Sequence, residues 1–435
     1  MMESFEQRNK LPFVYWVLLF IIPIFMRGCF WYVGIPNYLE KMMAFLTAFL
    51  LIIFFFLKIV PIKSNKHTYG RYIKVIILFS FLSILNALLY WGQGPILSYC
   101  AGYGIYIYIY YFILESVQPN DKQIEKLLLV FSSLYAVLWF YAFSLAPETV
   151  FGYKDEIDDS RGMYRIALEG IDVVGLFYFY SLTNYLSNLK RIKYLIYAIF
   201  SYALVFASLS RMLIFGVTVV TLFYIIRKKS LKIILLFSVI TALSWGAIMR
   251  NEIVTGLIEL QKIQSDNPEG DRVLRSEYTD CISLYPFHIG TFLFGNGKDH
   301  INSEYGKRED VLKNTYHFNR SDAGYPGHYV TYGIISLIVF FLIFYRILKN
   351  KVPDNIYYCK LFIFYFILIC FTTNHFISSG LSLTIVLYTL DVHATNGSLC
   401  FTRNHSYVRM SAPGESCKTG FSGHHTRDGD LLNSY

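Results

Sequence analysis

Charge is scarce in this chain. Of its 435 residues only 16% are Asp, Glu, Lys or Arg, against about 25% in soluble domains, so water is not the main solvent of its surface. Cysteine patterning is missing too. The 7 cysteines are scattered without CxxC spacing, which argues against a zinc site or a disulfide framework and predicts free thiols. The formal charge of +9 is spread over short segments between apolar runs and gathers on no soluble face, so nucleic acid is excluded as a partner. No internal repeat is visible, and no Gly/Pro interruption recurs at matching positions in two halves, as it does in inverted-repeat transporters. The first apolar run lacks a small-residue cleavage site and leads straight into further runs, so it reads as a retained span.

What is abundant is apolar surface, at 55% of residues. Apolar runs lie at 11–26, 42–57, 75–91, 96–114, 127–145, 170–187, 194–209, 212–226, 231–248, 328–345, 356–372 and 377–391. A span needs roughly 20 apolar residues to cross about 30 Å of hydrocarbon. Backbone facing lipid must satisfy its own hydrogen bonds, and these runs are too long and too uniformly apolar for barrel strands. The expected fold is therefore an all-α polytopic membrane protein with about twelve spans. Residues 1–248 form the main bundle, 249–327 one large polar loop, 328–391 the last spans, and 392–435 a disordered tail.

Orientation follows from basic residues, which are enriched in cytoplasmic loops. Segments 58–74, 115–126, 188–193, 227–232 and 346–355 hold 17 Lys and Arg, while 27–41, 92–95, 146–169, 210–211 and 373–376 hold 6. Both termini and the tail are then cytoplasmic, and the 249–327 loop is outside. The 33 residues from Tyr194 to Ile226 would make a helix of about 50 Å, too long for one span. Basic clusters flank this stretch on both sides, which predicts a hairpin whose tip is Ser208-Leu209-Ser210-Arg211, with Arg211 at the outer face.

Arg161, Arg165, Arg211, Arg250, Arg272, Arg275 and Arg320 all map to that outer side. Guanidinium forks bind phosphate bidentately and stay charged, so this set suits a lipid diphosphate; ordinary surface pairing with the loop acids is the competing reading. Arg165, Glu169 and Asp172 fall at i, i+4 and i+7, which predicts one helix face with Asp172 just inside the apolar zone, as a functional group or as an anchoring ion pair. Before the tenth run the chain reads Tyr316-His317-Phe318-Asn319-Arg320-Ser321-Asp322. His317 or Asp322 can serve there as general base, or Asp322 can cap a turn. Tyr103, Tyr106 and Tyr110 are expected on one face of the fourth helix, as packing or as a sugar platform. His375, beside Asn374 in the last outer loop, is a further polar candidate.

With this topology, Ser208-Leu209-Ser210-Arg211 resembles the Ser-x-Ser-Arg turn of the Wzy-type O-antigen polymerase and ligase superfamily. Asp322-Ala323-Gly324-Tyr325 followed by Tyr332-Gly333-Ile334-Ile335 resembles that family's loop-to-helix junction. The resemblance covers about residues 10–390. It implies polymerisation of a polyprenyl-diphosphate-linked oligosaccharide at the periplasmic face of a bacterial inner membrane, without metal or cofactor. Membrane lipid, a chain-length regulator and a flippase are the implied partners. Arg161, Arg165, Arg211, Arg272, Arg275 and Arg320 would then hold the diphosphate, with Asp322 or His317 as base. A ligase, a flippase or transporter, and a purely structural membrane protein are the competing functions.

Overall fold

A computed structural model describes residues 13–25, 42–43, 45–46, 48–49, 68–146, 148, 166, 168–228, 283–316, 320 and 323–408, with backbone alone from 395 to 408. The described residues of the apolar runs are mostly helical, with turns at several ends, the 231–248 run lies outside the described residues, and no strand occurs among those described. In order the elements are α1 (Phe13–Phe25), α2 (Thr68–Trp91), α3 (Pro95–Gly102), a 3₁₀ turn (Tyr103–Ile109), α4 (Tyr110–Val117), α5 (Asp121–Leu145), α6 (Ile171–Ser187), α7 (Ile192–Ala207), α8 (Arg211–Arg227), α9 (Ile289–Phe294), α10 (Glu304–Tyr316), α11 (Gly324–Lys349), α12 (Tyr358–Ile369) and α13 (Gly380–Val408). The chain forms two units, Met1–His393 and Ala394–Tyr435. Helices α1 to α12 and the first half of α13 belong to the first unit, and the rest of α13 to the second.

Four helical stretches have the length and composition to cross a membrane: Thr68–Trp91, Pro95–Val117, Asp121–Leu145 and Gly324–Lys349. Shorter apolar helices accompany them, including Ile192–Ala207. This is the pattern of a multi-pass membrane protein. Helix α2 shows the polarity expected in lipid, because it turns Ser80, Ser83 and Asn86 inward and Leu78, Phe81, Leu85 and Leu89 outward. Such apolar exposure would be costly in water and is neutral against acyl chains. The inward hydroxyls are satisfied within the helix, Ser80 Oγ donating to the Ile77 carbonyl and Ser83 Oγ to that of Ser80, both at 2.7 Å.

The helices pack in two groups. α6 lies along α5, α7 and α12, and α8 packs on α12; α2, α9 and α11 form the second contact set. The 194–226 stretch does fold back: α7 ends at Ala207 and α8 starts at Arg211. Tyr202 and Thr218, nearly symmetric about the turn, share a 3.0 Å hydroxyl contact. Leu209 takes a positive φ of 51° at the tip and is fully buried.

Two expectations are corrected. Arg165, Glu169 and Asp172 do not share a helix face, because Gly170 adopts φ 108° and α6 begins only after it. Glu169 sits in the preceding turn, and Arg165 lies outside the described residues. The tyrosine run from Tyr103 to Ile109 is a 3₁₀ turn and not an α-helix. Residues three apart eclipse in that geometry, so Tyr103 and Tyr106 align and Tyr110 does not. All three are fully buried, Tyr110 donating to the Leu19 carbonyl at 2.8 Å. Helix α13 runs from Gly380 to Val408. Asp391, where the polar segment begins, is buried and accepts from Thr68 N–H at 3.1 Å, Tyr69 N–H at 3.0 Å and the Tyr111 hydroxyl at 2.6 Å, capping α2.

Helix α11 breaks at Gly333, whose φ of 82° and ψ of 168° are open in practice only to glycine. The break deprives the Val330 and Thr331 carbonyls of their partners one turn on. The polar segment supplies replacements: Asn296 N–H and Nδ2 donate to Val330 at 2.8 and 3.1 Å, and Gly297 N–H donates to Thr331 at 3.0 Å. From the other side Asn86 of α2 donates to the Gly290 and Gly295 carbonyls, both at 2.8 Å. Non-helical backbone is thus rebound by protein, as an apolar surrounding requires. A Cβ at position 333 would overlap the Leu293 carbonyl. Gly333→Ala is therefore expected to lower the thermal midpoint of the detergent-solubilised protein, at a backbone cost of about 1–3 kcal/mol before the overlap is added. Gly94→Ala, where φ is −58° and nothing lies within 4 Å, is the control and should leave the midpoint unchanged.

Candidate functional site

Two polar clusters stand out among the described residues, and they differ in how completely their groups are satisfied. The first surrounds Arg320 in the polar segment before α11. Its guanidinium is 4% exposed and pairs with Asp299 and with Glu309, the latter at 3.2 Å. It also donates to the Tyr305 hydroxyl at 2.9 Å and the Gly297 carbonyl at 3.2 Å. Tyr285 donates to Glu309 at 2.7 Å, and Trp91 stacks on Tyr305 with centroids 4.8 Å apart. Next to it Gln93 joins the same segment to α3: it donates to Ser98 Oγ and the Lys298 carbonyl, and accepts from His300 N–H and Ser303 Oγ. Arg320 is thus committed to holding residues 285–309 against the helix ends, and its donors point at protein rather than at an open diphosphate site.

Electrostatics agree with that structural role. Burial alone would raise the Asp299 carboxyl, yet the Arg320 and Lys298 cations outweigh it and hold Asp299 below the usual carboxylate range. Burial opposes the charge on Arg320 as well, and its ring and carboxylate neighbours more than restore it. A carboxylate depressed in the folded state stabilises above its unfolded value of about 3.9, and that contribution is lost as pH falls through the folded value.

The second cluster lies where α6, α8 and α12 meet. Gly175 of α6 and Gly216 of α8 both lie against the ring of Tyr365 on α12; a Cβ at Gly216 would stand 3.1 Å from that ring and from Ile369. The first two turns of α6 and of α8 therefore lean on the last turns of α12, bringing Asp172, the Ser208–Arg211 tip and the 370–379 turn to one end of the bundle. Asp172 is 1% exposed. It accepts from the Tyr365 hydroxyl at 3.1 Å, and His375 Nδ1 stands 3.7 Å from its other oxygen. His375 is anchored by its own turn, with Nδ1 3.2 Å from Ser378 Oγ.

Some of the unmet hydrogen-bonding capacity of the bundle belongs to residues beside or next in sequence to this cluster. Tyr135 of α5 is near enough to Asp172 to interact electrostatically, and its buried hydroxyl has no partner among the described residues. The indole N–H of Trp139, one turn along α5, and the Asn374 carbonyl oxygen are likewise unpartnered among them. Asp391, equally buried, has three donors and is a structural cap; Asp172 has a single hydroxyl and a distant imidazole. Buried charges are normally paired, so a carboxylate with so few donors at this depth is a candidate functional group.

Of the residues expected from sequence to bind or react, Arg161, Arg165, Arg272, Arg275, His317 and Asp322, and Arg250 with them, lie outside the described residues. Arg211 is the exposed first residue of α8, preceded by Ser210 in an extended conformation. Tyr365 and Tyr135 carry no signal in the sequence, since each sits inside an apolar run. No family model, curated protein or solved structure matches this chain.

Arg320→Ala is expected to leave Asp299 and Glu309 buried without their cation, at a cost of about 3–5 kcal/mol. The measurement is limited proteolysis within 283–316, which should become fast in the variant. In the wild type the same segment should stay protected above about pH 4 and lose protection on acidification below that value.

Proposed function

We propose that this chain polymerises lipid-linked oligosaccharide repeat units at the outer face of a bacterial inner membrane, with a polyprenyl diphosphate as leaving group. About twelve spans, both termini inside and the 249–327 loop outside complete the proposed topology. The observation that carries the reading is the convergence of the Arg211 hairpin tip with the Asp172 and His375 cluster at one end of the bundle. The opposite end holds the basic residues: Arg227 against Tyr357, Lys228 with Asp354 at 3.0 Å, and Lys193 with Glu125 at 3.3 Å. By the positive-inside rule that end is cytoplasmic, which leaves Arg211 and the cluster outside, where lipid-linked repeat units are joined.

The chemistry needs little from the protein in number of groups. A hydroxyl of the incoming unit attacks the anomeric carbon at the reducing end of the growing chain. The bond to the diphosphate breaks, and the leaving group takes the electron pair. Arg211 at the first turn of α8 offers a permanent cation where that negative charge develops. His317 and Asp322 are the loop groups suited to take the hydroxyl proton.

Asp172, buried among apolar helices, favours a second reading, a transporter that carries a proton or a lipid-linked oligosaccharide. Deleting the gene in its own host and complementing with wild type or Arg211→Ala at matched membrane levels separates the readings. The polymerase predicts surface core bearing a single repeat unit after deletion, with the ladder restored by wild type. Arg211→Ala should fall short by about 10²–10³-fold in polymer formed. Full-length lipid-linked polymer stranded at the outer face would make the chain a ligase, and repeat units trapped inside would make it a transporter.

A further inference from the structure

Resting on the polymerase reading, we infer that the Asp172, His375 and Tyr135 cluster is the site for the attacking sugar hydroxyl, with His375 Nε2 as the proton acceptor. The loop groups His317 and Asp322 are then not required as base. The orientation of the imidazole carries the assignment. Both anchors of His375, Ser378 Oγ and the Asp172 carboxylate, lie on the Nδ1 side. A ring whose Nδ1–H faces a carboxylate keeps its lone pair on Nε2, and that nitrogen has no partner among the described residues. His375 retains 15% exposure while Asp172 keeps only 2% of its side chain accessible. The imidazole is thus the layer nearer to an incoming group, with the carboxylate behind it.

The 3.7 Å separation is longer than a hydrogen bond, as catalytic contacts often are before substrate is present. As the hydroxyl loses its proton to Nε2, the imidazolium that forms is stabilised by Asp172, whose charge is held in place by the Tyr365 hydroxyl. The alkoxide oxygen forms its bond to the anomeric carbon as the diphosphate departs, so one proton moves to His375 and one electron pair moves to the leaving group. Tyr135 O–H, the Trp139 N–H and the Asn374 carbonyl provide two donors and one acceptor with unfilled capacity, a mixed set that suits a hydroxylated ring, which both accepts and donates, and does not suit an acyl chain. Asp172 itself would repel a phosphate, which places the diphosphate on the Arg211 side and the acceptor sugar on the His375 side.

Lipid-linked repeat unit extracted from the deletion host is the probe, incubated with detergent-solubilised wild type, Asp172→Asn, His375→Ala, Tyr135→Phe and Arg211→Ala. Asp172→Asn keeps an oxygen for the Tyr365 hydroxyl, so it preserves the helix contact while removing the charge; thermal midpoints check that each variant is folded. The expectation is a fall in kcat of about 10²–10⁴-fold for His375→Ala and a comparable fall for Asp172→Asn, with KM for the repeat unit nearly unchanged. Tyr135→Phe should mainly raise KM. Folded His375→Ala and Asp172→Asn enzymes that polymerise at the wild-type rate while Arg211→Ala does not would overturn the assignment and leave the polymerase reading standing. A wild-type protein that does not lengthen the probe would bring down both.

Discussion

The contact on which this structure turns is the one Tyr365 of α12 makes with two other helices at once. Its ring fills the space left by two glycines, Gly175 on α6 and Gly216 on α8, and its hydroxyl ends on Asp172. A side chain at Gly216 would push α8 and its Arg211-bearing tip away from α12. Loss of the hydroxyl would leave a carboxylate nearly alone in an apolar bundle. The same residue therefore sets the approach of helices and the position of the charge, and the polar cluster exists because the packing around it is close. Small residues at helix contacts are the usual means of such approach in membranes, where helices gain little from hiding apolar surface from lipid.

A second constraint shapes the other half of the molecule. Breaking α11 at Gly333 opens carbonyls that an apolar surrounding would not tolerate, and the polar segment before α11 folds back to meet them. Asn296 and Gly297 bind the break, Asn86 and Gln93 bind the segment from α2 and the turn before α3, and Arg320 closes it from within. The segment is thereby fixed to the helix ends through backbone groups, which hold whatever its sequence variation elsewhere. Its arginine, which looks from sequence like a phosphate ligand, is consumed by this scaffolding.

The helical character, the apolar runs and the hairpin at Ser208–Arg211 were all legible in the sequence, because hydropathy and basic clusters report them directly. Asp172 was legible as a charge at the edge of an apolar run, although its helix-face partners were not: a periodicity argument assumes continuous helix, and Gly170 at φ 108° breaks it. His375 could be noticed only as a polar residue in a loop, since its relation to Asp172 depends on how α12 meets α6, nearly two hundred residues away in the chain. Tyr135 and Tyr365 were invisible, being aromatics in aromatic-rich spans. The 3₁₀ turn over Tyr103–Ile109 was hidden for a related reason, as apolar residues on all sides carry no period to read.

If the proposed chemistry is right, the Ser208–Arg211 tip and the 370–379 turn share the outer side of the membrane, and thiol accessibility in intact cells tests this most directly. Ser210→Cys and Ser378→Cys would be treated with a membrane-impermeant maleimide, with Leu189→Cys as the inner control and wild type giving the background from native cysteines. Labelling at positions 210 and 378 without permeabilisation, and at 189 only after it, is the predicted result. Labelling at 189 in intact cells, with 210 and 378 reached only after permeabilisation, would put the cluster on the cytoplasmic side and contradict both the orientation and the chemistry built on it.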